Sequence, residues 1–133
     1  MSTWRRKAME EFPDLKNQFR SRTSIYGVFF ALLQRCKQGH RENNEAELKL
    51  IYAYAAWCSA QRAKSLWNAA GVPFYEHLVD QPEMIRALPR WILAETFHNV
   101  EGLFEWRLSA EEFALLKERF HKAKREGRTS LEW

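Results

Sequence analysis

The chain has 133 residues, 46% of them apolar and 29% charged, with a formal net charge of +4. That length suits one domain and buries roughly two thirds of the unfolded surface, so folding needs neither a metal nor a disulfide scaffold. Five glycines and four prolines are too few for a turn-rich β domain or a disordered chain.

Two cysteines, Cys36 and Cys58, fall inside apolar runs and read as reduced core thiols; there is no CxxC pair to hold zinc or to cycle redox chemistry. The amino end, MSTWRRKAMEEF, is basic with no apolar stretch behind it, so it does not read as a signal peptide. The longest apolar run, residues 25–33, is about half a bilayer span. The expected location is cytoplasmic, with no membrane partner. Charge is uneven: residues 1–41 carry an excess of positive charge, residues 42–108 an excess of negative charge, and a small basic group (Lys122, Lys124, Arg125, Arg128) sits near the carboxyl end. Such ends attract phosphates or acidic partners, although most are ordinary solvated helix faces.

Taken in order, residues 3–12 predict a first helix with Met9 and Phe12, and also Trp4, inward. Pro13 follows, then one or two turns over residues 14–19, and a polar connection over residues 21–24. Ile25, Val28, Phe29, Leu32, Leu33 and Cys36 repeat at the spacing of one helical stripe, and Gly39 reads as the stop after it. Asn44 opens a third helix as its N-cap, with Glu47 placed to reach back to the Asn44 amide. Two stripes, Leu48/Ile51/Tyr52/Ala55/Ser59 and Leu50/Tyr54/Trp57, wrap most of that helix. A helix apolar on nearly every side must be surrounded by others. Nothing between residues 62 and 69 breaks it, so it is expected to run on towards Trp67.

Gly71-Val72-Pro73 reads as a corner: Gly71 at positive φ, Val72 extended ahead of proline, Pro73 at a first helical position. A short helix over residues 73–79 follows. Asp80, with Pro82 and Glu83, reads as the cap of another helix that ends near Ala87 or Leu88. Pro89 is expected to open a helix through Phe104 with a weak point at Gly102. Ser109 and Glu112 form a second capping box ahead of Phe113, Leu116 and Phe120, and residues 127–133 read as a frayed tail. The sum is an all-α fold: a single domain over residues 1–133 with six or seven helices, the amino-terminal helix within residues 1–24 being the least marked. The short, proline-punctuated helices favour an irregular array around the apolar helix, a right-handed series of helical hairpins, over a regular four-helix bundle.

Glu76, His77 and Asp80 are the one tight cluster of catalytically capable side chains. A single histidine falls short of the usual helical metal spacing, so no metal and no cofactor is expected there. His77 is expected to hydrogen-bond a backbone carbonyl or a carboxylate, and His40, His98 and His121 to lie at the surface or its boundary. No G-x-S-x-G elbow and no Gly-rich phosphate loop occurs. Trp67, Asn68 and Tyr75 flank the Gly-Pro corner, and exposed Trp and Tyr are favoured interface anchors. Arg5, Arg6, Lys7, Lys16, Arg20 and Arg22 cluster at the amino end without a helix-turn-helix pattern, a weak basis for nucleic-acid binding.

The segment AAWCSAQ…LWNAAGVPFYEHLVD…RALPRWI, with the closing LFEWRLSAEEFALLKERF, resembles a group of uncharacterised bacterial all-helical proteins over residues 45–120. The resemblance implies an all-helical fold and no catalytic residue; by analogy of fold it suggests a binding partner such as an immunity protein. The expectation is therefore a non-enzymatic module that binds another protein through Trp67, Asn68, Tyr75, Glu76 and His77. The alternative is a small hydrolytic or metal-dependent enzyme using Glu76 and His77, and the third reading is a basic nucleic-acid binder.

Overall fold

A computed structural model describes residues 2–19 and 23–126. They form seven α-helices: α1 (Thr3–Glu11), α2 (Ile25–Glu42), α3 (Glu45–Ser59), α4 (Lys64–Gly71), α5 (Pro82–Trp91), α6 (Ala94–Arg107) and α7 (Ala110–Glu126). Two 3-10 segments, Pro13–Leu15 and Tyr75–Val79, complete the order, and no strand occurs among the described residues. The tail at 127–133 and half of the expected connection at 21–24 (residues 21 and 22) lie outside the described residues; Ser24 caps α2 by accepting the Gly27 amide at 3.2 Å.

The apolar helix of the sequence is the centre of the packing. α3 contacts α1, α2, α4, α5 and α6, while α7 closes the far side against α5 and α6. Its buried face is Leu48, Ile51, Tyr52, Tyr54, Ala55 and Cys58. Aromatic rings fill the space around it: Tyr52 stacks on Trp91 of α5 at 5.9 Å between centroids, and Phe29 of α2 meets both Tyr54 and Phe74 at 5.7 Å. Each such ring removed from water contributes about 1.5–3 kcal/mol. The enclosure is not complete. Lys49, Leu50 and Ala53 form a solvent-facing stripe, so the helix is wrapped on most sides rather than all.

Polar ties fix the amino-terminal part to this core. The Tyr54 hydroxyl donates to the Trp4 carbonyl at 2.9 Å, and Arg5 donates to the carbonyls of Phe19 (2.8 Å) and Thr23 (2.7 Å). Arg35 of α2 bridges Asp14 (2.6 Å) and Glu47 (2.5 Å), joining the first 3-10 segment to α2 and α3. Ala8 and Phe12 are buried in this layer, and Trp4 and Met9 pack against it half-buried.

Several boundaries differ from expectation, each for a physical reason. α2 does not stop at Gly39 but runs to Glu42, where Asn43 takes the left-handed conformation (φ 53°, ψ 40°). The Asn44 amide then bonds the Gly39 carbonyl at 2.9 Å and the Asn43 amide the His40 carbonyl at 3.4 Å, a Schellman closure. Because the Asn44 amide is so engaged, Glu47 does not return to it, although Asn44 does cap the Glu47 amide at 3.2 Å. α3 ends at Ser59 rather than near Trp67. Ser59 Oγ and Gln61 Nε2 donate to the Ala56 and Trp57 carbonyls, both at 2.9 Å, and the turn at 60–63 lets α4 fold back onto α3 and α2.

Gly71 is the last residue of α4 and has no positive φ, and Val72 is helical (φ −70°, ψ −56°), not extended. What Gly71 supplies is room, since a Cβ there would sit 3.0 Å from Leu103 Cδ1. Pro73 lies in a buried turn ahead of the Tyr75–Val79 segment. Asp80 caps nothing; Gln81 precedes α5, and Pro82 takes the first-turn position. Pro89 lies inside α5 instead of opening the next helix, and Gly102 does not interrupt α6. The Ser109–Glu112 box is reciprocal, with amide-to-side-chain bonds of 3.1 and 3.0 Å.

Candidate functional site

An opening lined by uncharged residues lies between α4 and α6. Trp67 and Asn68 lie on α4, and Asn99, Gly102 and Leu103 recur at helical spacing along one face of α6. Ser59, Gly71, Val72 and Val100 complete a groove of about 330 Å³. No lining residue among those described carries a charge. Trp67 is 44% exposed and Val72 43%, while Trp106, one turn beyond Gly102 and Leu103, is 82% exposed. Three large apolar side chains thus face water along one side of the molecule, the kind of exposure that marks an interaction surface.

The groove has a built wall. Asn68 Nδ2 donates to the Tyr26 hydroxyl at 2.7 Å, fixing α4 against α2. Tyr75 does not join the surface. It is 1% exposed, with Ser59 of the groove lining beside its hydroxyl, so it packs in the core behind the groove. Burial pushes its phenol well up from the ordinary value, leaving it neutral.

Glu76 and His77 do not line the groove either. They belong to a polar cluster at the end of the Tyr75–Val79 segment. His77 Nδ1 is 3.0 Å from Asp80 Oδ2, the carboxylate contact expected for it, and Arg107 reaches Asp80 Oδ1 at 2.6 Å and Glu76 Oε1 at 3.9 Å. Partial burial works to raise the Asp80 carboxyl, but hydrogen bonds from Arg107 and His77, with their charges, outweigh it and hold the group below the usual carboxylate range. The cluster is an ion-paired clasp joining α6 to the 3-10 segment. Among the described residues no group of three or more His, Cys, Asp or Glu is placed to hold a metal ion.

The five residues singled out in the sequence therefore divide three ways: Trp67 and Asn68 in the groove, Tyr75 beneath it, Glu76 and His77 in the clasp. Asn99, Leu103, Trp106 and Arg107 were missed. The 99-102-103-106 spacing and a Trp at the solvent end of it were the available signal.

The other candidates have structural surroundings. Cys36 and Cys58 are free and buried, and burial pushes both thiols up to about 12, far from nucleophilic range. His40 lies at the boundary, as expected, half-buried with Nε2 2.7 Å from the Tyr52 hydroxyl. At the amino end Arg5 is spent on backbone carbonyls and Lys7 on Glu11 (2.8 Å) and the Trp57 ring, so these cations hold α1 in place. Among the described residues no helix is long and apolar enough to cross a membrane.

The all-helical fold with a neutral groove belongs to a class whose members need not share chemistry. The chain itself belongs to the family described as a domain of unknown function, DUF7674, whose model matches residues 5–107. The match takes in α1 and α2, where the sequence carried no recognisable resemblance, and stops at the end of α6. No curated protein matches the chain, and no solved structure matches it.

Proposed function

We propose that this protein is a non-enzymatic module that binds another protein, and that the α4/α6 groove receives an apolar segment of that partner. The observation that supports the reading is the exposure of Trp67 on the rim of an uncharged groove of about 330 Å³. Large aromatic side chains beside a concave, neutral surface are the usual centre of a protein interface. The mechanism is steric. The partner's apolar side chains displace water from Val72, Leu103 and the two tryptophans, and the amides of Asn68 and Asn99 set register.

Affinity capture followed by reconstitution with the purified partner tests this. Near-equimolar recovery of one protein, with its affinity reduced at least tenfold by Trp67→Ala and by Trp106→Ala, is the expected result. Retention of full affinity in both variants rejects the groove, and loss on Glu76→Gln alone moves the contact to the clasp.

A second reading, a small hydrolytic enzyme, draws on the His77–Asp80 pair, because a carboxylate that orients an imidazole is part of many general-base arrangements. Hydrolysis of generic ester or phosphoester substrates, abolished by His77→Gln, would replace the binding reading.

A further inference from the structure

On another part of the molecule, α5 and α7 face each other across a cavity of about 290 Å³ lined by Arg86, Pro89, Arg90, Arg119, Lys122 and Ala123. Four of these six carry positive charge, and none is acidic. The arrangement follows from helical spacing: Arg86 and Arg90 are one turn apart on α5, and Arg119, Lys122 and Ala123 share a face of α7. Pro89 and Ala123, both buried, make a small apolar floor between the two pairs.

Concentrating like charges in this way opposes folding, because cations one turn apart repel. Helix-end electrostatics accounts for Arg90, in the last turn of α5, but not for Arg119, which is seven residues short of Glu126. Carboxylates do not relieve the repulsion generally. Arg90 pairs with Glu45 at 2.7 Å, whereas Arg86, Arg119 and Lys122 form no ion pair among the described residues. Elsewhere on α7 the charges do pair, as Arg125 with Glu118 at 3.6 Å.

A bounded cavity ringed by guanidinium groups suits tetrahedral oxyanions, which accept two parallel N–H bonds from each arginine fork. The positive groups border one half-open recess from two helices instead of tracking along a stripe, so the geometry favours a compact anion over a polymer. We propose that the α5/α7 cavity binds a small molecule carrying two or more phosphates, held by Arg86, Arg90, Arg119 and Lys122. This site is independent of the α4/α6 groove.

Calorimetric titration of the 133-residue chain with inorganic tripolyphosphate at low salt is the test. Saturable one-to-one binding is expected, weakened at least tenfold by Arg119→Gln and by Lys122→Gln and unchanged by Lys49→Gln or Lys64→Gln. Arg86→Gln, on the opposite helix, is a further variant should either of the first two fail to fold by circular dichroism. A parallel titration with adenosine triphosphate separates the two sources of such an anion: tighter binding than tripolyphosphate assigns a nucleotide, equal or weaker binding an inorganic or other polyphosphate. The proposal is overturned by absence of binding, or by equal loss in the Lys49 and Lys64 variants. It is also overturned if a single-stranded oligonucleotide binds the same arginines more tightly than either probe, which would assign the face to nucleic acid.

Discussion

Arg107, the last residue of α6, places its guanidinium 2.6 Å from Asp80 Oδ1, 27 positions earlier in the chain. The contact ties the end of α6 to the junction between the Tyr75–Val79 segment and α5, with His77 on the other carboxylate oxygen. Because the folded-state carboxyl is held below its ordinary value, the stabilisation is present above the ordinary carboxylate range and is lost as pH falls through the folded value. Asp80→Asn is therefore expected to lower Tm at neutral pH. The gap from wild type should narrow in high salt, which screens a solvent-exposed pair, and close as pH falls through the depressed folded value. Thermal melts at several pH values and two salt concentrations check this; a pH-independent gap would show that the charge is not what matters.

His40 gives a second pH signature with a different window. Burial lowers its pKa from 6.5 to about 4, with the Tyr52 hydroxyl 2.7 Å from Nε2. Between those values the unfolded chain binds a proton that the folded chain does not, so stability rises with pH and is lost on acidification from about 6.5 towards 4. The loss should be roughly 2 kcal/mol once partial exposure of the ring is discounted. Urea denaturation of wild type and His40→Gln at about pH 7 and about pH 4.5 measures it, and the variant is expected to show little change between the two.

What was legible in the sequence was whatever local chemistry decides. The Ile25-to-Cys36 stripe, the Asn44 cap and the Ser109–Glu112 box all depend on residues within three or four positions of one another, and all are present. The end of α3 was not legible, because Ala60, Gln61, Arg62 and Ala63 all tolerate helix; the chain turns there because α4 packs back onto α3 and α2. Gly39 read as a stop because glycine commonly ends helices, yet the left-handed residue is Asn43 and Gly39 serves close packing instead. The site suffered most. An aromatic beside a corner is equally suited to core or surface, and only the fold sends Tyr75 inward and leaves Trp67 and Trp106 exposed. The partner of Asp80 lies too far along the chain for any local pattern to name it.

The capping box at the start of α7 should carry a measurable share of the attachment of that helix. Ser109 Oγ accepts the Glu112 amide at 3.1 Å, and Glu112 Oε1 accepts the Ser109 amide at 3.0 Å. Those backbone and side-chain bonds to Ser109 hold the Glu112 carboxyl below its ordinary value. Ser109→Ala removes one of the two links and is expected to cost about 1 kcal/mol in chemical denaturation. Ser109→Asp should restore most of it, because a carboxylate also accepts an N2 or N3 amide and suits the positive end of a helix. Failure of the aspartate to rescue would mean that the serine matters for something other than the cap.

Two glycines within helices should respond oppositely to alanine. At Gly102 an added Cβ meets nothing within 4 Å, so the substitution should stabilise the chain by about 0.8–1 kcal/mol through helix propensity alone. At Gly39 the same Cβ would lie 3.0 Å from Leu48 Cδ2 and 3.2 Å from its Cγ, and Leu48 is a core residue with 2% exposure and little room to move. Overpacking there should destabilise by about 1–3 kcal/mol, exceeding the propensity gain. Urea midpoints of Gly39→Ala and Gly102→Ala measured side by side give the comparison, with slopes unchanged if both remain two-state. Because Gly102 lines the α4/α6 groove, its alanine variant should also narrow that groove and weaken partner binding while raising stability. That opposition of stability and affinity in one variant is a signature that general destabilisation cannot produce.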